Sequence, residues 1–226
     1  VRKIGVRLAI ALCRCQKLRR FSSSADACPN RIAVNTMAHQ PQEAASPRRF
    51  SAGSALTGAI RVPGDKSISH RALMLSALCV GTSRISGLLE GEDVLATAAA
   101  MRAMGADIVR ADDGIWTVHG VGVGGLMQPA TAIEMGNSGT STRLLMGLVA
   151  SHPITAMFTG DASLSRRPMA RVTDPLGLMG AEFNASPGGT LPLVVKGMQP
   201  AVPISYRLPV ASAQVKSAIL LAALNT

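Results

Sequence analysis

Four short stretches carry most of the side chains that could do chemistry. Lys66, Ser67 and Arg71 follow Pro63-Gly64-Asp65, and Gly136-Asn137-Ser138-Gly139-Thr140 stands upstream of Arg143. Arg166-Arg167 precedes Pro168, a favoured first helical residue, and Ser212-Ala213-Gln214 precedes Lys216. Guanidinium groups are permanently charged and grip carboxylates and phosphates through two parallel hydrogen bonds. A pair of glycines lets backbone N–H groups approach an anion closely. Hydroxyl and glycine residues at a helix start leave N–H groups free beside roughly half a positive charge. Converging helix starts of this kind make an anion site. Ser67, Ser138 and Ser212 also read as plain N-caps, and single Lys or Arg side chains as solvated surface. Yet a cation at a helix N-terminus opposes the macrodipole by about 0.3–1 kcal/mol, and a bound anion reverses that sign. Gly64-Asp65-Lys66-Ser67 lacks the G-x-x-x-x-G-K-[ST] spacing of a P-loop.

The elements that must position these residues repeat. Three segments, from Ser67, Ser138 and Ser212, each run from small or hydroxyl residues through a basic residue into an apolar stretch, and the basic residues Arg71, Arg143 and Lys216 lie 72 and 73 positions apart. Constant spacing predicts a structural repeat. Met104-Gly105-Ala106 and Met179-Gly180-Ala181 each end a helical pattern with Gly at the stop position. A strand, a turn and a strand follow each: 106–110, Asp112-Asp113-Gly114 and 115–119, then 181–185, Pro187-Gly188-Gly189 and 191–196. With short strands at 83–88 and 155–159, each unit takes a β-α-β-α-β-β order. The expected class is α+β, with helices on one face of a mixed sheet. Residues 72–80 and 217–224 are apolar nearly all round, so the three repeat helices are expected to be buried together in the centre, with the sheets outside.

The chain has 226 residues, 47% hydrophobic and 16% charged, which excludes disorder for its bulk. With 3% aromatics, the core must come from Ala, Val, Leu, Ile and Met. No stretch approaches the about 20 apolar residues that span a bilayer, so a soluble protein without membrane association is expected. The net charge of +10 sits mostly in residues 1–36, which hold eight Lys or Arg against Asp26 alone. The remaining residues keep only +3, which argues against nucleic acid as a partner. Residues 1–36 read as a basic leader outside the fold: an organellar transit peptide, a secretory signal, or, by preference, sequence upstream of a natural start at Met37. Residues 37–55 read as a flexible N-terminus, and the domain begins at 56. Cys13, Cys15 and Cys28 lie in the leader, and Cys79 reads as a small buried hydrophobe inside an apolar helix. Neither a disulfide framework nor metal-ligand spacing emerges, and the four histidines are scattered.

Taken together, Pro63 through Arg71, Gly136 through Arg143, Gly160-Asp161-Ala162-Ser163-Leu164 with Arg167-Pro168-Met169, and Ser212-Ala213-Gln214 resemble the 5-enolpyruvylshikimate-3-phosphate synthases (3-phosphoshikimate 1-carboxyvinyltransferases), in wording nearest the bacterial second-class enzymes. The resemblance covers about residues 56–226 and roughly the first half of such an enzyme, whose two domains each hold three β-α-β-α-β-β units. It implies two units plus the start of a third here, with a second domain missing. It implies transfer of the enolpyruvyl group of phosphoenolpyruvate to the 5-hydroxyl of shikimate 3-phosphate, without metal or organic cofactor, by a cytoplasmic enzyme that is monomeric when complete. By motif position, Lys66 meets both substrates and is the catalytic candidate in this half. Ser67 and Arg71 face the shikimate phosphate, and Ser212 with Gln214 the shikimate ring and phosphate. Gly139 and Arg167 receive phosphoenolpyruvate, with Gln214 touching it, while Ala213 contributes only backbone. General acid and base carboxylates belong to the other half, so residues 1–226 alone are expected to show no turnover. Some second-class members carry Ala at the Gly139 position; Gly leaves room for glyphosate, so sensitivity is expected.

The nearest rival family, UDP-N-acetylglucosamine 1-carboxyvinyltransferase, places a Cys in the loop at Asp161-Ala162-Ser163 and an Asn where Ser67 stands, and neither is present. An RNA-terminal phosphate cyclase of related units is a rival from another class, and a non-catalytic half-protein working by association is a third.

Overall fold

The computed structural model describes residues 49–226 except 54 and 56; the expectations for 1–36, and for most of 37–55, lie outside the described residues. Each helix begins where local chemistry says it should. Asp65 caps α1 (Lys66–Ala77) by accepting the Ile68 N–H at 2.7 Å. Ser212 caps α5 (Ala213–Ala223) by accepting the Val215 N–H at 3.3 Å. Ser67 is therefore the second helical residue rather than a cap. Ser138 precedes α3 (Gly139–Ala150) without a side-chain cap bond.

Between α1 and α3 lie β1 (Val80–Ile85), α2 (Glu92–Ala103), β2 (Asp107–Arg110), β3 (Trp116–Val121) and β4 (Ile133–Glu134). Between α3 and α5 lie β5 (Thr155–Thr159), a 3₁₀ turn (Leu164–Arg166), α4 (Ala170–Leu178), β6 (Glu182–Ser186) and β7 (Thr190–Lys196). One sheet has the order β1-β3-β2, and the other continues β4-β5-β7-β6. The shared core order, with β1 equivalent to β5, is a structural repeat; α1 and α3 lead its two copies, and α5 follows the second. Gly105 and Gly180 both stop a helix at positive φ, 100° and 101°, as a left-handed C-terminal residue requires. Alternation then does the rest: along β7, Leu191, Leu193 and Val195 point into the core.

Residues Thr57–Thr226 form one compact unit. At its centre α3 is buried along nearly its whole length, packed chiefly on α5 and also on α2, α4 and the second sheet. Gly147 permits the close α3–α5 approach, because a Cβ there would collide with the Ala218 backbone. Among the described residues no helix is long and apolar enough to cross a membrane.

The α+β class and the repeat stand as expected, but details differ. The first sheet is wholly antiparallel, so only the second is mixed. No strand precedes α1 among the described residues. β1 starts three residues before 83 and ends at Ile85, because the chain turns at Gly87, φ 68°. Only α3 is covered on every side; α1 and α5 each keep one apolar flank open, with Ile68, Leu75 and Leu220 exposed. Cys79 is exposed rather than buried, since α1 stops at Ala77 and Cys79 lies in the turn to β1. Pro168 does not open α4: it holds Arg167 extended (φ −87°, ψ 124°), and the helix begins two residues later.

Candidate functional site

The site grows from the first turn of α3. Arg143 lies one turn in, so its side chain folds back towards the helix start and its Nη1 donates to the Gly139 carbonyl at 3.1 Å. The same Nη1 donates to Gln214 Oε1, 3.1 Å away on α5. Arg143 is only 4% exposed, and its Nε is buried without a partner. Burial, then the charges of Arg171 and Arg167, lower its pKa to about 10, which still leaves it charged at neutral pH. Among the described residues no carboxylate is bonded to it.

Arg167 reaches the same place from the loop before α4. Its Nη2 donates to Asn137 Oδ1 at 2.7 Å and to Ser163 Oγ at 3.1 Å. The Asn137 amide is oriented by donating its other end to Asp161 Oδ2, at 2.7 Å. The Leu164 N–H and the Asn137 amide hold the Asp161 carboxyl below its ordinary range, so the orienting group stays ionised. Gly139 sits between the two arginines: a Cβ there would lie 3.0 Å from Nη1 of both Arg143 and Arg167. Gln214 fixes the third side, donating Nε2 to Thr140 Oγ1 at 3.1 Å and accepting from Arg171 at 3.4 Å. Arg143, Arg167, Pro168, Ala170, Arg171 and Gln214 line a cleft of about 540 Å³, within the range of about 300–1,000 Å³ typical of small-ligand pockets. Its lining holds three guanidiniums and no carboxylate, which is the composition of an anion receptor.

Lys66, Ser67 and Arg71 form a neighbouring group instead. The Lys66 ammonium pairs with Asp93 in the first turn of α2. Arg71 donates to the Ser67 carbonyl at 3.1 Å and across to Ser217 Oγ of α5 at 2.7 Å. Ser141 Oγ donates to the Asp93 carbonyl at 3.3 Å, tying the starts of α2 and α3. The helix starts are thus linked from α1 to α2, to α3, to α5 and back to α1. Ser212 borders a second cleft with Arg171, Asp174 and Tyr206, and Ala213 is exposed at the start of α5.

The structure therefore brings Gly139, Arg167 and Gln214 into one cleft and sets Lys66, Ser67 and Arg71 beside it. Sequence reasoning missed Arg143 and Arg171 as site residues, and Asn137 as the group that aims Arg167. The signal for Arg143 was present, since it shares the repeat register of Arg71. Among the described residues no group of three or more His, Cys, Asp or Glu could hold a metal ion.

Residues 50–226 match the family model described as EPSP synthase (3-phosphoshikimate 1-carboxyvinyltransferase). A protein of Novosphingobium aromaticivorans named 3-phosphoshikimate 1-carboxyvinyltransferase is 75% identical over 180 residues, covering 80% of this chain and 41% of that protein. One of the same name from Zymomonas mobilis is 72% identical over 171 residues, 76% of this chain and 38% of its own. A solved EPSP synthase from Acinetobacter baumannii superimposes with a TM-score of 0.70 at 52% identity, covering 73% of this chain and 37% of that one. The chain spans about two fifths of the length of these curated relatives. It belongs, on these matches, to the EPSP synthase (3-phosphoshikimate 1-carboxyvinyltransferase) family.

Proposed function

We propose that this chain supplies a substrate-gripping part of an enzyme that moves the enolpyruvyl group of phosphoenolpyruvate onto the 5-hydroxyl of shikimate 3-phosphate. The observation that carries the reading is Arg143: buried, without a carboxylate, beside Arg167 and Arg171 across Gly139. Such a cluster costs the free protein stability that a bound anion offsets, and phosphoenolpyruvate brings a phosphate and a carboxylate. Gly139, Arg167 and Gln214, with Arg143 and Arg171, receive that substrate. Lys66 stands at the boundary between the substrates. Ser67, Arg71, Ser212 and the Ala213 backbone face shikimate 3-phosphate.

In the reaction the 5-hydroxyl oxygen gives up its proton and bonds to the enol carbon while the methylene carbon takes a proton and becomes a methyl group, and the adduct then loses phosphate together with a proton of that methyl, which restores the double bond. Negative charge builds on the departing phosphate, and guanidiniums fixed in advance stabilise it without reorganising. Lys66, held by Asp93, is the catalytic candidate among the residues of this site. The relatives' names favour this reading over a UDP-N-acetylglucosamine substrate. The reading extends to a cytoplasmic enzyme, monomeric when complete, which gel filtration and cell fractionation test.

The decisive experiment joins residues 50–226 in frame to the remaining part of the Novosphingobium relative and follows phosphate release. Release that requires both substrates, and that falls about a hundredfold or more in Arg167→Ala, agrees with the reading. Turnover with a UDP-sugar in place of shikimate 3-phosphate, or none with either, contradicts it.

A further inference from the structure

His70 is fully buried on α1 and takes no part in the anion cleft. Its Nδ1 lies 2.8 Å from Thr97 Oγ1 of α2 and 3.1 Å from Ser141 Oγ of α3. Those two hydroxyls are 2.6 Å apart, and Ser141 is 2.6 Å from Ser138 Oγ. Thr97 and Ser141 both reach the Asp93 carbonyl, at 3.1 and 3.3 Å. The other ring nitrogen, Nε2, is buried with no partner.

Counting protons selects one form of the ring. With the proton on Nδ1, His70 donates to Thr97, Thr97 donates to Ser141 across the 2.6 Å contact, Ser138 also donates to Ser141, and Ser141 donates to the Asp93 carbonyl beside the helical N–H of Thr97. Every hydroxyl is then used, and the orphan is only a bare lone pair on Nε2. With the proton on Nε2, or on both nitrogens, a buried N–H is left without an acceptor, the costlier fault.

We propose that His70 is a positioning residue that, as a neutral imidazole protonated on Nδ1, bolts together the amino ends of α1, α2 and α3 and so fixes Lys66, Asp93 and the Gly139 turn. Lys66 lies one turn before His70 on α1, Asp93 one turn before Thr97 on α2, and Gly139 two residues before Ser141. The bolt therefore holds the backbone beneath each of these groups. The charged groups bearing on the ring are Lys66 and Arg71 from its own helix and Asp93 from α2, while α3 faces it with the Ser141 hydroxyl. Burial outweighs the pull of Asp93, so the ring's pKa is lowered, in keeping with a neutral hub.

The role of the bolt in binding rests on the functional reading above; the tautomer does not. Nitrogen-15 NMR of the histidines in the 226-residue chain at pH 7, without substrate, is expected to show His70 neutral with its proton on Nδ1. An Nε2–H form or an imidazolium overturns the proposal. Calorimetry with phosphoenolpyruvate then compares three variants, each checked for folding by melting. His70→Asn puts an amide N–H where Nδ1 was and is expected to bind within about threefold of the unaltered chain. His70→Leu, and His70→Gln whose amide reaches only the Nε2 position, are expected to bind about tenfold more weakly. Unaltered affinity in His70→Leu, or failure of His70→Asn to rescue, overturns the proposal. An unaltered chain that binds no phosphoenolpyruvate contradicts the functional reading instead, and the NMR result still decides the tautomer.

Discussion

A guanidinium 4% exposed, with no carboxylate bonded to it and two like charges near by, costs the free protein stability. Replacing buried ionic groups with apolar side chains of similar size is often neutral or stabilising, a gain here offset by the lost bonds to Gly139 and Gln214. Arg143→Met is therefore predicted to melt at the same temperature or higher while losing phosphoenolpyruvate affinity about tenfold or more. By the same logic, phosphate should raise the melting temperature of the unaltered chain more than chloride at equal ionic strength. At a concentration about 100 times its dissociation constant a ligand adds about 2.7 kcal/mol. Equal melting in both salts would count against the cleft. Gly139→Ala places a methyl 3.0 Å from two guanidinium nitrogens. In the complete enzyme, glyphosate is predicted to inhibit the Gly139 form, and the Ala form to need about tenfold or more inhibitor. Equal inhibition of both would remove Gly139 as the determinant.

Helix starts separate capping from substrate contact. Asp65→Ala and Ser212→Ala should each cost about 1 kcal/mol of stability, whereas Ser67→Ala should cost little, because Ser67 caps nothing. Urea unfolding measures all three. Much at this scale was legible in the sequence, since stops and alternation are written in neighbouring residues, although of the three serines read as caps only Ser212 caps, Asp65 doing so for α1. β5 runs over 155–159 as read, and both helix stops fall at Gly105 and Gly180. β4 was not legible: two residues long, it exists only through parallel pairing of Ile133 with Phe158 on β5. Arg143 was legible as a repeat position but not as a site residue, because its partner Gln214 lies 71 residues away. Pro168 misled for a local reason: the proline that suits a helix start also holds the residue before it extended.

Across the whole unit, the recurring order β1-β3-β2 and β5-β7-β6 gives each copy the same way of presenting a helix start. That is why chemistry scattered over about 150 positions meets in adjoining clusters, and why spacing in the sequence announced it. Two buried imidazoles tie stability to pH. Burial lowers the pKa of both His70 and His152 from 6.5, so the unfolded chain takes up protons first. Stability is then full above about pH 6.5 and falls as pH drops below it, and His70→Asn should flatten part of that fall in a melting series. The cleft lining offers no carboxylate to serve as general acid or base, so residues 1–226 by themselves are predicted to bind without turnover; sustained phosphate release would contradict this. The central claim is that residues from α3, α4, α5 and the loop before α4 share one anion site. Calorimetric titration of phosphoenolpyruvate into the unaltered and Arg143→Met chains tests it most directly. Saturable one-to-one binding that weakens about tenfold or more in a still-folded Arg143→Met is the predicted result, and equal affinity in the two chains would contradict it.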